Sequence, residues 1–247
     1  EFVVAPGNDY LFSYNWLCES RAEDVVIFLN NDMRVDRAFI APLLHHFSNP
    51  AVFAVAGRCL DWDGAVCLNG PALMRFHHGW FHTGFDTSCE EAAYSLFAGG
   101  GSAAFDRAKF VELGGFDILF HPAYGEDLDL GFRAWCLGWE SRFEPASVLY
   151  HREGGTMGTN LQRHILRTQL LFQWRNLREP RLMIQRWLYE RWREVRCGGT
   201  VYRETRKAAI AQWRERKAAA LARRPRGANL AQLERICGTR IADSEDL

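Results

Sequence analysis

The stretch Val25-Val26-Ile27-Phe28-Leu29-Asn30-Asn31-Asp32-Met33 decides the fold. Its unbroken apolar run, Val25 to Leu29, predicts a strand buried on both faces, the habit of a central strand in a parallel sheet. The run then stops abruptly in Asn30, Asn31 and Asp32. Ligands of open α/β sheets lie at the carboxyl ends of the strands, so these polar side chains are delivered to where a ligand would sit. Two readings stand at this point. One is an Asn/Asp turn leading into the next helix. The other is a set of oxygen ligands, Asp32 helped by Asn30, for a hard divalent cation holding a diphosphate.

Working outward, Glu1 to Ala5 reads as a short strand and Leu11 to Arg21 as a helix. A right-handed crossover would make that strand parallel to the one at Val25. Asp36 is expected to cap a helix with Phe39, Ile40, Leu43, Leu44 and Phe47 on one face, kinked or started late by Pro42. Val52 to Ala56 is the next buried strand. From Asp61 to Cys89 the regular pattern is lost, and aromatic residues crowd with His77, His78 and His82. A histidine metal cluster, a mobile aromatic loop with Trp80 stacking on a substrate, and ordinary loop packing are the three readings of this segment.

Gly99-Gly100-Gly101-Ser102 follows; its cost in backbone entropy is explained where a ligand or another backbone must come close, and a generic loose turn is the other reading. A second polar cluster, Glu126-Asp127-Leu128-Asp129, opens a helix that Gly138 stops. Acidic residues in a first turn are favoured by the helix dipole alone, and Asp129 is spaced to pair with Arg133. Glu126 and Asp127 are left over, and a carboxylate at a loop-to-helix junction can serve as a general base. Glu140 to Tyr150 reads as one or two strands, with His151 directly after.

The 247 residues, 48% hydrophobic, suffice for a sizeable core, and basic and acidic residues balance at 30 each. The balance hides an asymmetry, because basic residues outnumber acidic ones more than three to one between Leu161 and Arg226. That stretch reads as helices with interleaved Trp and Arg, ending in a basic helix from about Tyr202 to Arg224. A solvated face and a face lying on an anionic membrane are both open for that helix. The 7 cysteines include no Cys-x-x-Cys pair, which points to a reduced compartment without structural zinc. No apolar run approaches the ~18 residues of a spanning helix.

Taken in order, Asn30-Asn31-Asp32, Gly99 to Ser102, Gly114-Gly115-Phe116-Asp117, Glu126 to Leu130 with Arg133, Gly138-Trp139, and His151 with Gly154-Gly155 resemble the motifs of family-two glycosyltransferases. The rhamnosyltransferase-like branch is the nearest in pattern, over about residues 1–175.

The resemblance implies an α/β GT-A fold, with a mostly parallel sheet flanked by helices over residues 1–160 and a basic helical extension over 161–247. It implies Asp32 and His151 as ligands for Mg or Mn, and Asn30, Gly99, Gly100, Gly101 and Ser102 in the sugar and acceptor pocket. Asp127 takes the place of the catalytic base, with Glu126 as second candidate. The expected activity is inverting transfer of a hexosyl group, rhamnosyl included, from a nucleoside-diphosphate-sugar to a glycan or lipid-linked acceptor in building a cell-envelope polysaccharide. The expected setting is cytoplasmic, with peripheral contact of the basic tail on the inner face of the membrane and no nucleic-acid partner. A catalytically silent remnant that binds only glycan or nucleotide is the alternative.

Two departures accompany the resemblance. Nothing corresponds to the family's first strand, helix and strand, so the chain is expected to be truncated at its N-terminal side. Asn30 also stands where the commoner motif has Asp, which removes one charge from the metal's surroundings.

Overall fold

The computed structural model describes residues 4, 7, 9–77, 79–152, 161–177, 180–196 and 199–223, with backbone alone at 76 and 77. The expected strand at Glu1 to Ala5 therefore lies almost wholly outside the described residues. So do His78, Gly154, Gly155 and the end of the basic tail.

Among the described residues, eight strands and seven α-helices make an α/β fold: α1 (Ser13–Glu19), β1 (Val25–Leu29), β2 (Met33–Val35), α2 (Ile40–His45), β3 (Val52–Asp61), β4 (Ala72–His77), β5 (Trp80–Phe85), β6 (Ala93–Ser95), β7 (Ser102–Asp106), α3 (Arg107–Glu112), α4 (Glu126–Cys136), β8 (Glu140–His151), α5 (Leu161–Asn176), α6 (Pro180–Arg196) and α7 (Thr200–Ala222). The main sheet runs β1-β7-β3-β8-β2, with β6 also on β8. Its two longest strands, β3 and β8, pair in parallel. Because β7 is antiparallel to both β1 and β3, the strands β1, β3 and β8 all point the same way. The short strands β2 and β6 run against β8.

This direction pattern positions the site. The carboxyl ends of β1 and β8 and the amino end of β7 fall on one edge, where Leu29 stands opposite Ser102 and Met33 opposite His151.

Helices cover both faces. On one side Phe28, Phe53, Phe105, Phe110 and Phe116 join Leu11 and Cys18 beneath α1, α3 and α4; on the other, Phe39 and Leu43 of α2 pack on Val52, Val55 and Leu149. Phe28 is the hub of the aromatic group, stacked on Phe105 at 4.9 Å and on Tyr14 at 4.0 Å between ring centroids. Only Phe28 of the opening stretch is fully buried, and Leu29 is 38% exposed. Among the described residues β1 ends the sheet, so it has the burial of an edge strand rather than of the central one its apolar run predicts.

Other elements shift for local reasons. Pro42 lies in the first turn of α2, whose start moves to Ile40, where a missing N–H costs nothing. The segment expected to be irregular contains the hairpin β4-β5, turned at Gly79 with φ 74°. Aromatic and histidine side chains on both faces of the hairpin hide the alternation that marks a strand.

The helices after residue 160 pack onto the core. Leu171 and Phe172 of α5 and Ala220 of α7 share one core with Phe81, Leu119, Phe120, Leu128 and Phe132. The five described cysteines are free thiols.

Candidate active site

Asn30 continues β1 into the site edge, its N–H donating to Gly101 O at 2.9 Å. A Cβ on Gly101 would stand 2.4 Å from Asn30 Oδ1, so any side chain here would displace the Asn30 amide. Gly99 turns the loop by accepting from the Ser102 N–H at 3.1 Å. The loop then meets α4, because the Gly100 N–H donates to the Asp127 carboxylate. The close backbone approach inferred for the glycines is thus a contact with two of the other predicted site residues.

Asp32 and His151 are also brought together, 3.4 Å apart between Oδ2 and Nε2. The other carboxylate oxygen, Asp32 Oδ1, is buried without a hydrogen-bond partner among the described residues. A buried carboxylate oxygen left unpaired is costly and calls for a cation or a donor. Among the described residues no group of three or more His, Cys, Asp or Glu side chains could hold a metal ion. One carboxylate, with an imidazole beside it, leaves most positions of a divalent ion to a diphosphate and water.

Gly125, at φ 87°, starts α4 and aims its first two carboxylates differently. Glu126 is 3% exposed with Oε2 unpaired among the described residues, and burial, reinforced by the charge of Asp127, pushes its carboxyl up to about 8 despite the opposing Arg167 guanidinium. Burial also raises Asp127, against the stabilising N–H groups of Leu128 and Gly100. Neighbouring acids in a dry site separate in this way, one keeping a proton while the other is ionised.

The Glu126 shift carries a stability consequence. Its folded value, about 8, lies above its ordinary 4.5, so the folded state holds an extra proton between them. Stability therefore declines as pH rises across that window, by up to about 1.4 kcal/mol per pH unit. Glu126→Gln is expected to flatten the decline, read as urea midpoints between about pH 5 and about pH 8. Wild type and variant falling in parallel would show that Glu126 does not titrate this way.

Sequence reasoning missed several neighbours. Tyr10, at φ 51°, hydrogen-bonds the Asn30 side chain and is raised to about 12 by burial, with Glu126, Tyr124 and Asp127 adding to the rise. Tyr124, at φ 71°, is raised by burial and the same two acids. Positive φ at two tyrosines beside the same pair of acids is the kind of backbone strain that functional sites hold. Neither conformation leaves a mark in sequence.

A buried ion network holds α4 from behind. Asp129 pairs with Arg133 at 2.8 Å, as its spacing predicts, and with Arg175 of α5 at 2.8 Å. Arg175 also reaches Asp117 at 3.1 Å, and Arg133 donates to the Leu113 and Gly115 carbonyls.

Trp80 does not belong to the site. It is 1% exposed, packed with Leu170 and Ala209, and Arg193 lies over its ring at 5.5 Å. A ring closed in beneath α5, α6 and α7 has no face for a sugar. Of the histidines read as a metal cluster, His78 lies outside the described residues, and His82 makes an edge contact with Tyr189.

No family model matches the chain. It is 30% identical over 133 residues to the pre-mycofactocin glycosyltransferase of Mycobacterium tuberculosis, a match covering 52% of this chain and 27% of that protein. It is 25% identical over 141 residues to a probable N-acetylgalactosaminyltransferase 9 of Caenorhabditis elegans, covering 52% of this chain and 24% of that protein. The chain is similar to glycosyltransferases. It spans about a quarter of the length of these curated relatives. A solved structure of GalNAc-T7 with UDP, GalNAc and Mn2+ superposes with a TM-score of 0.46 at 18% identity, covering 65% of this chain and 33% of that one.

Proposed function

We propose that the chain is a metal-dependent, inverting glycosyltransferase of the GT-A kind. It moves a hexosyl group, rhamnosyl within that class, from a nucleoside-diphosphate-sugar to a hydroxyl of a glycan or lipid-linked saccharide. The observation that carries this reading is the meeting, on one sheet edge, of a half-satisfied Asp32 beside His151 with an Asp127 seated against the glycine loop. Relatives that are glycosyltransferases support the reaction class.

Asp32 and His151 would hold Mg or Mn on the donor diphosphate. Such an ion, when bound, neutralises charge on the departing diphosphate. Asp127 accepts the proton of the acceptor hydroxyl as its oxygen bonds to the anomeric carbon, and the bond from that carbon to the diphosphate breaks with its electron pair leaving on phosphate oxygen. Glu126, holding its proton, keeps a second negative charge away from the incoming donor. Attack from the face opposite the leaving group inverts the anomeric centre, and no enzyme nucleophile is needed.

Calorimetric titration with GDP, UDP and dTDP, with and without Mn, tests the reading. Binding that requires Mn and weakens at least about tenfold in Asp32→Ala is the expected result, in line with the loss on removing a metal-site group. No binding of any of the three, or binding indifferent to Mn and to Asp32, overturns it.

A further inference from the structure

The helix α6 is packed inside out. A surface helix ordinarily turns its apolar stripe to the core and its charges to water. Here Glu190, the one buried residue of α6, takes the Trp174 indole N–H at 2.9 Å, with Arg186 and Arg206 at 3.4 and 3.5 Å. One turn on, Arg193 lies over the rings of Trp80, Tyr189 and Tyr202. The helix is thus fastened by Glu190, Arg186 and Arg193, with Leu182 and Tyr189 packed beside them.

The opposite side carries Ile184 (61% exposed), Trp187 (56%), Leu188 (55%), Trp192 (54%) and Val195 (85%), spaced three and four apart as one stripe. Arg181 and Arg196 are exposed at its two ends, and Arg203 is exposed just beyond on α7. The basic helix α7 keeps a solvated face, with Arg203, Lys207, Arg214 and Lys217 exposed. Tyr202, Thr205, Ala209 and Ala220 are buried, and Ala209 packs with Leu170 of α5. No described helix is long and apolar enough to cross a membrane.

We infer that α6 is a membrane-docking helix that lies in the headgroup region of an anionic bilayer. Its two Trp and three aliphatic side chains enter the acyl boundary, and Arg181, Arg196 and Arg203 meet lipid phosphates. Trp and Arg suit that boundary because each joins an apolar body to a polar end. The guanidinium groups bracketing the stripe select a negative, fluid surface over a neutral apolar partner. The inference does not depend on the sugar-transfer reading.

The test floats the full chain with vesicles of phosphatidylcholine alone and with vesicles also containing phosphatidylglycerol. The expected result is recovery with the anionic vesicles, weakened by salt, together with a blue shift of Trp emission. Trp187→Ser/Leu188→Ser/Trp192→Ser, all at exposed positions, should lower vesicle affinity about tenfold or more while leaving the circular dichroism unchanged. Arg181→Gln/Arg196→Gln should remove most of the preference for anionic lipid. Equal flotation on both vesicles, no flotation, or full binding by the triple variant overturns the inference. A dimer by light scattering that the triple variant dissolves, without lipid binding, would assign the stripe to a second copy instead.

Discussion

Arg175→Met is expected to destabilise the protein by about 3–5 kcal/mol, the usual cost of removing one partner from a buried ion network. Arg175 is wholly buried and bonded to both Asp117 and Asp129. Four charges balance there in pairs, Asp117 and Asp129 against Arg133 and Arg175. Deleting Arg175 leaves one buried carboxylate uncompensated, and Met fills much of the volume without replacing a donor. The loss is read as a drop in the urea midpoint at unchanged slope. Adding Asp117→Asn restores neutrality, so the double variant should recover part of the loss, with an interaction energy between about 0.5 and about 3 kcal/mol. A single-variant loss below about 1 kcal/mol would show that water or relaxation satisfies the carboxylates and that the network is not what fixes α5 to α4.

What was legible in the sequence follows from the range of each physical signal. The polar stop after Leu29 places Asn30 and Asp32 at a strand end because burial and turn chemistry act over neighbouring residues. The Asp129–Arg133 pair is readable because one helical turn brings those positions together. Arg175 carries no such mark. Its partners stand 46 and 58 residues away, and only the docking of α5 on α4 joins them. The packing across residue 160 is hidden for the same reason, since Leu171 and Phe172 look like any helical stripe until Phe81 and Phe132 are seen to cover them.

Trp80 and α6 show what local pattern leaves out. An aromatic residue among histidines suggests an open loop, yet later helices bury Trp80. On α6 the stripe of Trp, Leu and Ile faces out while Glu190 turns inward. Residue pattern reports amphipathicity, while the sign of the face is set by what the neighbouring helices offer. Glu190 finds Trp174, Arg186 and Arg206, and that set of partners decides the orientation.

Asp127→Asn is expected to lower kcat by about 10²–10⁴-fold, the range for loss of a positioned general base. Binding of the nucleoside diphosphate should stay within about twofold, because a group that acts only in the transition state leaves ground-state affinity alone. The measurement pairs calorimetry with turnover of the donor sugar that calorimetry and screening identify. Asn keeps one oxygen to accept the Gly100 and Leu128 N–H groups, so the glycine loop is held while the proton acceptor is gone. In wild type, turnover should rise with pH through an apparent value above the ordinary carboxylate range, since burial raises Asp127, and the residual activity of the variant should lose that limb. Glu126→Gln separates the two acids. If Glu126 only keeps a proton, its amide should preserve most of the turnover and leave the limb in place, because a neutral amide replaces a neutral acid. The opposite outcome, turnover kept in Asp127→Asn and lost in Glu126→Gln, would move the base one residue back, to the carboxyl whose unpaired oxygen stands near Arg167.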